Sequence, residues 1–146
     1  MNQQLAFRNR PWNQRLLGMG DIAEQRFEET HEVFSRTGFN RPPFDTRMVP
    51  PIIMYMPDYF DGTQWWEVQG CGKDGTIKLK TEKAEALFKW QNFSCCPVQF
   101  FFYNSDLNMA AEISLSDLTE RTVTYSVETF PEGKAYWAIP FDTLVV

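Results

Sequence analysis

Residues 56–70, MPDYFDGTQWWEVQG, decide how this chain is read. The second half, TQWWEVQG, is rich in Trp and Val and reads as a strand. Side chains on a strand point alternately to opposite faces, so Trp65, Glu67 and Gln69 share one face and Trp66 and Val68 the other. The Asp61-Gly62 step marks a tight turn. That turn brings Asp58, at the end of the preceding strand, beside Glu67. Two carboxylates at adjacent strand ends make a hard oxygen site suited to Mg2+ (or Mn2+), an ion that keeps several waters and takes one or two protein carboxylates. Such an ion activates water and stabilises charge developing on a phosphate.

Working outward, DIAEQRFEETHEVFSRTG sets Ile22, Ala23, Phe27, Val33 and Phe34 on roughly one side of a helix, expected over 21–36 with Gly38 as its stop. IIMYM reads as the strand before the turn. TIKLK follows the turn CGKDG and reads as a third strand of the same meander. TEKAEALFKWQNF predicts a second helix, with Thr81 as cap and Ala84, Leu87, Phe88 and Phe93 near one face. PVQFFFYNS is almost continuously apolar, as a central strand covered on both faces would be. Beyond it, SLSDL suggests one capped turn, and RTVTYSVE and AYWAIPF alternate as strands do. The expected architecture is therefore α/β, a mixed β-sheet core of αβββαβ type flanked by helices, with a C-terminal β extension. It forms a single domain over 1–146 with its core at about 18–105.

The 146 residues suit one compact core, and 13 Phe and 5 Trp argue against disorder. The formal net charge of −5 shows no overall basic excess toward nucleic acid, but Lys and Arg cluster locally. Arg8, Arg10 and Arg15 form one group, and Lys73, Lys78, Lys80, Lys83 and Lys89 another. Cys71, Cys95 and Cys96 make no CxxC spacing, so neither a disulfide framework nor a zinc site is indicated. Cys95-Cys96 reads as a buried packing pair and His31 as a surface helix residue. There is no signal-peptide pattern and no apolar run of membrane-spanning length, so a reducing, cytoplasmic setting with no membrane partner fits best.

The pattern Pro57-Asp58, Glu67, Val68, Gln69 resembles the signature of the PD-(D/E)XK nuclease superfamily, in the form that carries Gln where Lys is usual. The element order over about 18–105 is similar too, and small phage Holliday-junction resolvases and related endonucleases are the nearest kind. The resemblance implies a Mg2+-dependent DNA endonuclease working in the cytoplasm of the host cell if phage-encoded. Asp58, Glu67 and Gln69 would be catalytic, and Glu24, Asp58 and Glu67 would hold the metal. Gln69 would position the attacking water. Lys73, Lys78 and Lys80 would contact DNA, with Lys78 or Lys80 supplying the charge that the missing Lys would bring. Symmetric cuts in paired strands or a junction would call for a homodimer. The alternative is a catalytically inactive protein of the same fold, serving as a phage structural or host-defence-interfering binding protein; the acidic balance and the missing Lys favour it.

Overall fold

The computed structural model describes residues 19–38 and 49–145; Arg8, Arg10 and Arg15 lie outside them. Helix α1 (Met19–Thr30) is followed by strand β1 (Ser35–Arg36), the short helix α2 (Pro51–Met54), β2 (Tyr59–Phe60), β3 (Trp65–Gly70) and β4 (Thr76–Lys80). Then come helix α3 (Thr81–Ser94), β5 (Val98–Asn104), β6 (Met109–Ser114), α4 (Leu115–Arg121), β7 (Ser126–Thr129) and β8 (Ala135–Pro140). The α/β class expected from the sequence is what is observed.

Five strands form a mixed sheet in the order β1-β2-β3-β5-β6, and three more form an antiparallel sheet, β4-β8-β7. In the larger sheet only β3 and β5 run parallel, with Glu67 opposite Phe100 and Gly70 opposite Tyr103. Strand alternation divides the apolar residues between the two faces. Trp66, Val68, Phe101 and Tyr103 pack with Ala23 and Phe27 of α1. Phe100 and Phe102 pack on the other side with Leu87 of α3, Leu115 and Leu118 of α4, and Ile77, Leu79 and Ile139 of the smaller sheet. The larger sheet is thus sandwiched, and β5, in its interior, is buried on both faces as its apolar run predicts.

Several expectations are corrected. IIMYM is not a strand: Pro50 precedes α2 and Pro51 opens it, where a missing N–H is harmless and the fixed φ suits a helix. The antiparallel meander is real, but it consists of β1, β2 and β3, not IIMYM, TQWWEVQG and TIKLK. TIKLK is a strand, yet β3 is already flanked by β2 and β5, so β4 pairs with β8 in the other sheet. The C-terminal strands β7 and β8 form the smaller sheet with β4.

Helix α1 stops at Thr30, short of Gly38, because side chains take its last carbonyls. Thr30 Oγ1 donates to Arg26 O at 2.9 Å, and His31 Nδ1 meets Phe27 O at 2.9 Å. Val33, beyond that stop, is 69% exposed. His31 is half-buried rather than a surface residue, stacked on Phe27 with ring centroids 4.0 Å apart and bonded to Glu112 at 3.1 Å. Helix α3 starts after Lys80 without a side-chain cap, so Thr81 is its first residue and not its cap, and Phe93 is exposed. Cys95 is exposed and Cys96 half-exposed, so they are no buried pair; the buried cysteine is Cys71.

Candidate active site

Asp58 is positioned by the strand ends around it. The β2–β3 ladder closes with Tyr59 opposite Trp66, and beyond it Val68 N–H donates to Asp58 Oδ2 at 2.9 Å. The carboxylate continues the hydrogen bonding where β2 has not yet begun. On its other side, Thr37 and Gly38 N–H both donate to Asp58 O, at 2.9 and 3.2 Å, and Thr37 Oγ1 donates to Pro57 O at 2.9 Å. Gly38 lies against this segment so closely that a Cβ there would sit 2.9 Å from Asp58 Cα and 3.2 Å from its Oδ1. Only glycine allows that approach.

The turn between β2 and β3 is held by Asp61. Its carboxylate accepts from Thr63 N and Gln64 N at 2.9 Å and from Trp66 Nε1 at 2.8 Å. Partial burial works against ionisation, but these hydrogen bonds outweigh it and hold the carboxyl well below the usual range.

Glu67, in the middle of β3, is 3% exposed and is one of the few buried charged residues. It faces α3, where Lys83 Nζ lies 2.5 Å from its Oε2. The Lys83 side chain is 20% exposed against 4% for Glu67. Burial and the adjacent Asp58 push the Glu67 carboxyl up, while Lys83 pulls it down. For Lys83, burial alone would lower the pKa, but Glu67, Asp58 and Glu24 outweigh it and hold the ammonium charged. As two carboxylates, Asp58 and Glu67 have no hydrogen to share, and Glu67 Oε1 is buried without a hydrogen-bond partner. With one proton between them they bond to each other, and this interaction contributes to the rise at Glu67.

Glu24, on α1, is 8% exposed and within electrostatic reach of Lys83. Glu67, Asp58 and Glu24 all act electrostatically on Lys83. Gln69, Lys78 and Lys80 make their contacts elsewhere. Gln69 Nε2 donates to Lys78 O at 2.8 Å, tying β3 to β4 across the gap between the two sheets. Lys78 and Lys80 lean on the rings of Phe130 and Tyr136, with Lys78 Nζ 5.5 Å from the Tyr136 centroid and Lys80 Nζ 5.6 Å from that of Phe130. The ammonium beside the acid pair belongs instead to Lys83.

That residue escaped the sequence reading because its role depends on how α3 crosses the sheet. The sequence signal was its spacing: Lys83 stands one turn before Leu87, on the helix side that carries the apolar residues. The start of α3 is anchored next to it. Tyr55 Oη donates to Glu82 Oε1 at 2.6 Å and Lys134 Nζ to the same oxygen at 2.7 Å.

Among the described residues, no group of three or more His, Cys, Asp or Glu side chains is arranged to hold a metal ion. Two hard carboxylates suffice for Mg2+, which retains water in its other positions. The unpartnered, buried Glu67 Oε1 is the atom a cation would satisfy. Asp58 and Glu67 are the carboxylates a divalent ion would meet here, where the Lys83 ammonium already lies against Glu67 Oε2.

No family model matches this sequence, and no curated protein matches it significantly. No described helix is long and apolar enough to cross a membrane.

Proposed function

We propose that this protein is a metal-dependent DNA endonuclease of the PD-(D/E)XK type, hydrolysing phosphodiester bonds of duplex or branched DNA. The observation that carries the reading is the buried Glu67 beside half-buried Asp58, with the Lys83 ammonium against Glu67. Ion pairs are rarely sequestered for stability, because desolvation offsets their attraction. Titratable groups perturbed by burial and by one another are a hallmark of functional sites. The order of elements supports the same reading: α1, the β1–β2–β3 meander with α2 inserted between β1 and β2, then β4 in the other sheet, α3, and β5 parallel to β3.

In this reading Asp58 and Glu67 would hold Mg2+ or Mn2+, with Glu24 joining from α1. When bound, the ion would lower the pKa of water and offset charge on the phosphoryl oxygens. Lys83, whose ammonium lies against Glu67, would supply the positive charge that Gln69 lacks. Gln69 spends its amide N–H on Lys78 O, which leaves its Oε1 as an acceptor for a water. Lys73, Lys78 and Lys80 contact the DNA backbone from the neighbouring sheet edge, and a homodimer would supply two symmetric cuts.

The Lys83–Glu67 ion pair also suits a second reading, a nuclease-fold binding protein whose site has neutralised itself. Incubation of supercoiled plasmid and a four-way junction with Mg2+ or Mn2+ separates the two. The endonuclease nicks or resolves them, and Glu67→Ala loses at least about a hundredfold of that rate, in line with removal of a group essential to transition-state charge. A folded wild type that cleaves neither substrate with either ion, or a Glu67→Ala protein that cleaves as well as wild type, rejects the nuclease.

A further inference from the structure

We propose that the groove between α2 and the last turns of α3, walled by Ile52, Ile53, Lys89, Trp90 and Phe93, takes one unpaired nucleobase of a DNA strand. The inference rests on the nuclease reading and deepens it by naming the substrate class. That class is DNA with unpaired nucleotides beside the cut, as at a flap, a gap or a branch point.

Phe93 is left by the fold without a packing role. It is 87% exposed, and Ile53 across the groove is exposed as well. A single exposed ring is ordinary, but this one borders a cavity of about 250 Å3 with an almost wholly carbon lining. Lys89 enters that lining through its aliphatic stem.

The Trp90 wall is fixed before anything binds. Its Nε1–H donates to Ile52 O at 2.8 Å, which ties α3 to α2. Ser94 Oγ donates to Trp90 O at 2.6 Å and accepts from Trp65 Nε1 at 2.8 Å. The Trp65 and Trp90 rings meet edge to face with centroids 5.7 Å apart. A ring held in this way loses little freedom when another ring packs on it.

Size and charge choose the occupant. A partner helix would need anchors spread over two turns, about 10 Å of groove. A cavity of about 250 Å3 within five residues has room for one ring system instead. A second copy seated on the same groove would bring a second Lys89 ammonium to a lining without a carboxylate. Lys89 is in no ion pair among the described residues, so its ammonium is open to the phosphate of the nucleotide whose base is held. Aromatic faces with a cation at the rim are the means by which proteins hold single strands. A base inside a duplex is already stacked and does not enter.

The groove also lies on the Glu67 face of the sheet. Trp65 stands two residues before Glu67 on that face, about 7 Å away at the usual rise, and Trp90 packs against it. Lys83, against Glu67, and Trp90 are two turns apart on one side of α3.

The test compares a labelled single strand with its blunt duplex of the same length, by fluorescence anisotropy in EDTA so that nothing is cut. Stacking on an aromatic side chain is worth about fivefold to a hundredfold in affinity per base. Phe93→Ala should weaken single-strand binding at least about fivefold and leave the blunt duplex unchanged. Phe93→Tyr, which keeps the ring, should bind the single strand as wild type does. Phe93→Leu, which keeps apolar bulk without a π face, should lose as much as Phe93→Ala. A single strand bound as well by Phe93→Ala or Phe93→Leu as by the wild type overturns the base pocket even if the wild type nicks plasmid. A loss that is equal for single strand and duplex overturns it too. So does a wild-type dimer, measured by light scattering, that Phe93→Ala turns into monomers, because the groove then belongs to a second copy. Losses as expected in a protein that cleaves nothing reject the nuclease reading and leave a single-strand-binding groove.

Discussion

Replacing Lys83 by Met removes the ammonium 2.5 Å from Glu67 Oε2 and leaves the aliphatic volume nearly intact. If Glu67 stayed ionised, a buried charge would be stranded, which typically costs about 3–5 kcal/mol. The carboxyl has an escape, because burial and Asp58 already raise it and Lys83 is what pulls it down. In the variant it takes up a proton. A carboxyl protonated in the fold and ionised above about pH 4.3 when unfolded binds more protons folded than unfolded, so stability falls as pH rises. The penalty is about 1.4 kcal/mol per pH unit, which gives about 1 kcal/mol at pH 5 and about 3.7 kcal/mol at pH 7. These are ceilings, since wild-type Glu67 is itself raised and already bears part of that penalty. At about 3 °C per kcal/mol for a chain of this size, the pH-dependent Tm loss is bounded by about 10 °C at pH 7 and about 3 °C at pH 5, and it falls below those bounds by the share wild-type Glu67 already bears. Thermal unfolding followed by circular dichroism measures both. In a Glu67→Gln background the same Lys83→Met change should show a smaller difference between the two pH values, because the buried partner acid is gone and only Asp58 and Glu24 still act on the ammonium. A Tm loss in wild-type background that is the same at pH 5 and 7, or the same with and without Glu67, would refute the coupling.

Three further outcomes follow from the geometry around the pair. Gly38→Ala pushes a methyl against Asp58, 2.9 Å from its Cα, and should cut plasmid nicking at least about tenfold while the protein stays folded. Asp61→Asn should lower the urea midpoint at pH 7 by the equivalent of about 1–2 kcal/mol. Because Asp61 is depressed in the fold, its stabilisation is complete above the unfolded carboxyl value near 4 and is lost as pH falls below it, so the two proteins should converge in acid. Phe27→Ala empties a fully buried site stacked on Tyr59 and His31 and should destabilise by about 3–5 kcal/mol in the same urea experiment.

What the sequence made legible was local. The alternation of TQWWEVQG placed Glu67 and Gln69 on the face away from α1, and the continuous apolar run of β5 marked the sheet interior. The Asp-Gly turn brought Asp58 to Glu67 even though the strand before it, Tyr59–Phe60, is only two residues long. The misreadings came where pairing depends on distant chain. IIMYM carries β-branched residues, but Pro50 and Pro51 commit it to a helix start. TIKLK has a true strand pattern whose partner, AYWAIP, lies about 60 residues further on, and adjacency in sequence suggested the wrong sheet. MAAEIS, the edge strand β6, shows too few β-formers to be recognised without its pairing to β5. Lys83 looked like one more lysine in a basic group; only the passage of α3 over β3 turns it toward Glu67.

The central claim is that the Asp58–Glu67 pair is a divalent-metal centre, and it can be tested without choosing a DNA substrate. The measurement is calorimetric titration of Mn2+ into the full chain at pH 7, with Glu67→Gln alongside as a variant that keeps the volume and loses the charge. The account predicts uptake of Mn2+ by the wild type, lost or weakened at least about tenfold in Glu67→Gln, since a neutral amide is a far poorer ligand for a hard cation than a carboxylate. A folded wild type that takes up no Mn2+, or takes it up as well after Glu67→Gln, would contradict it.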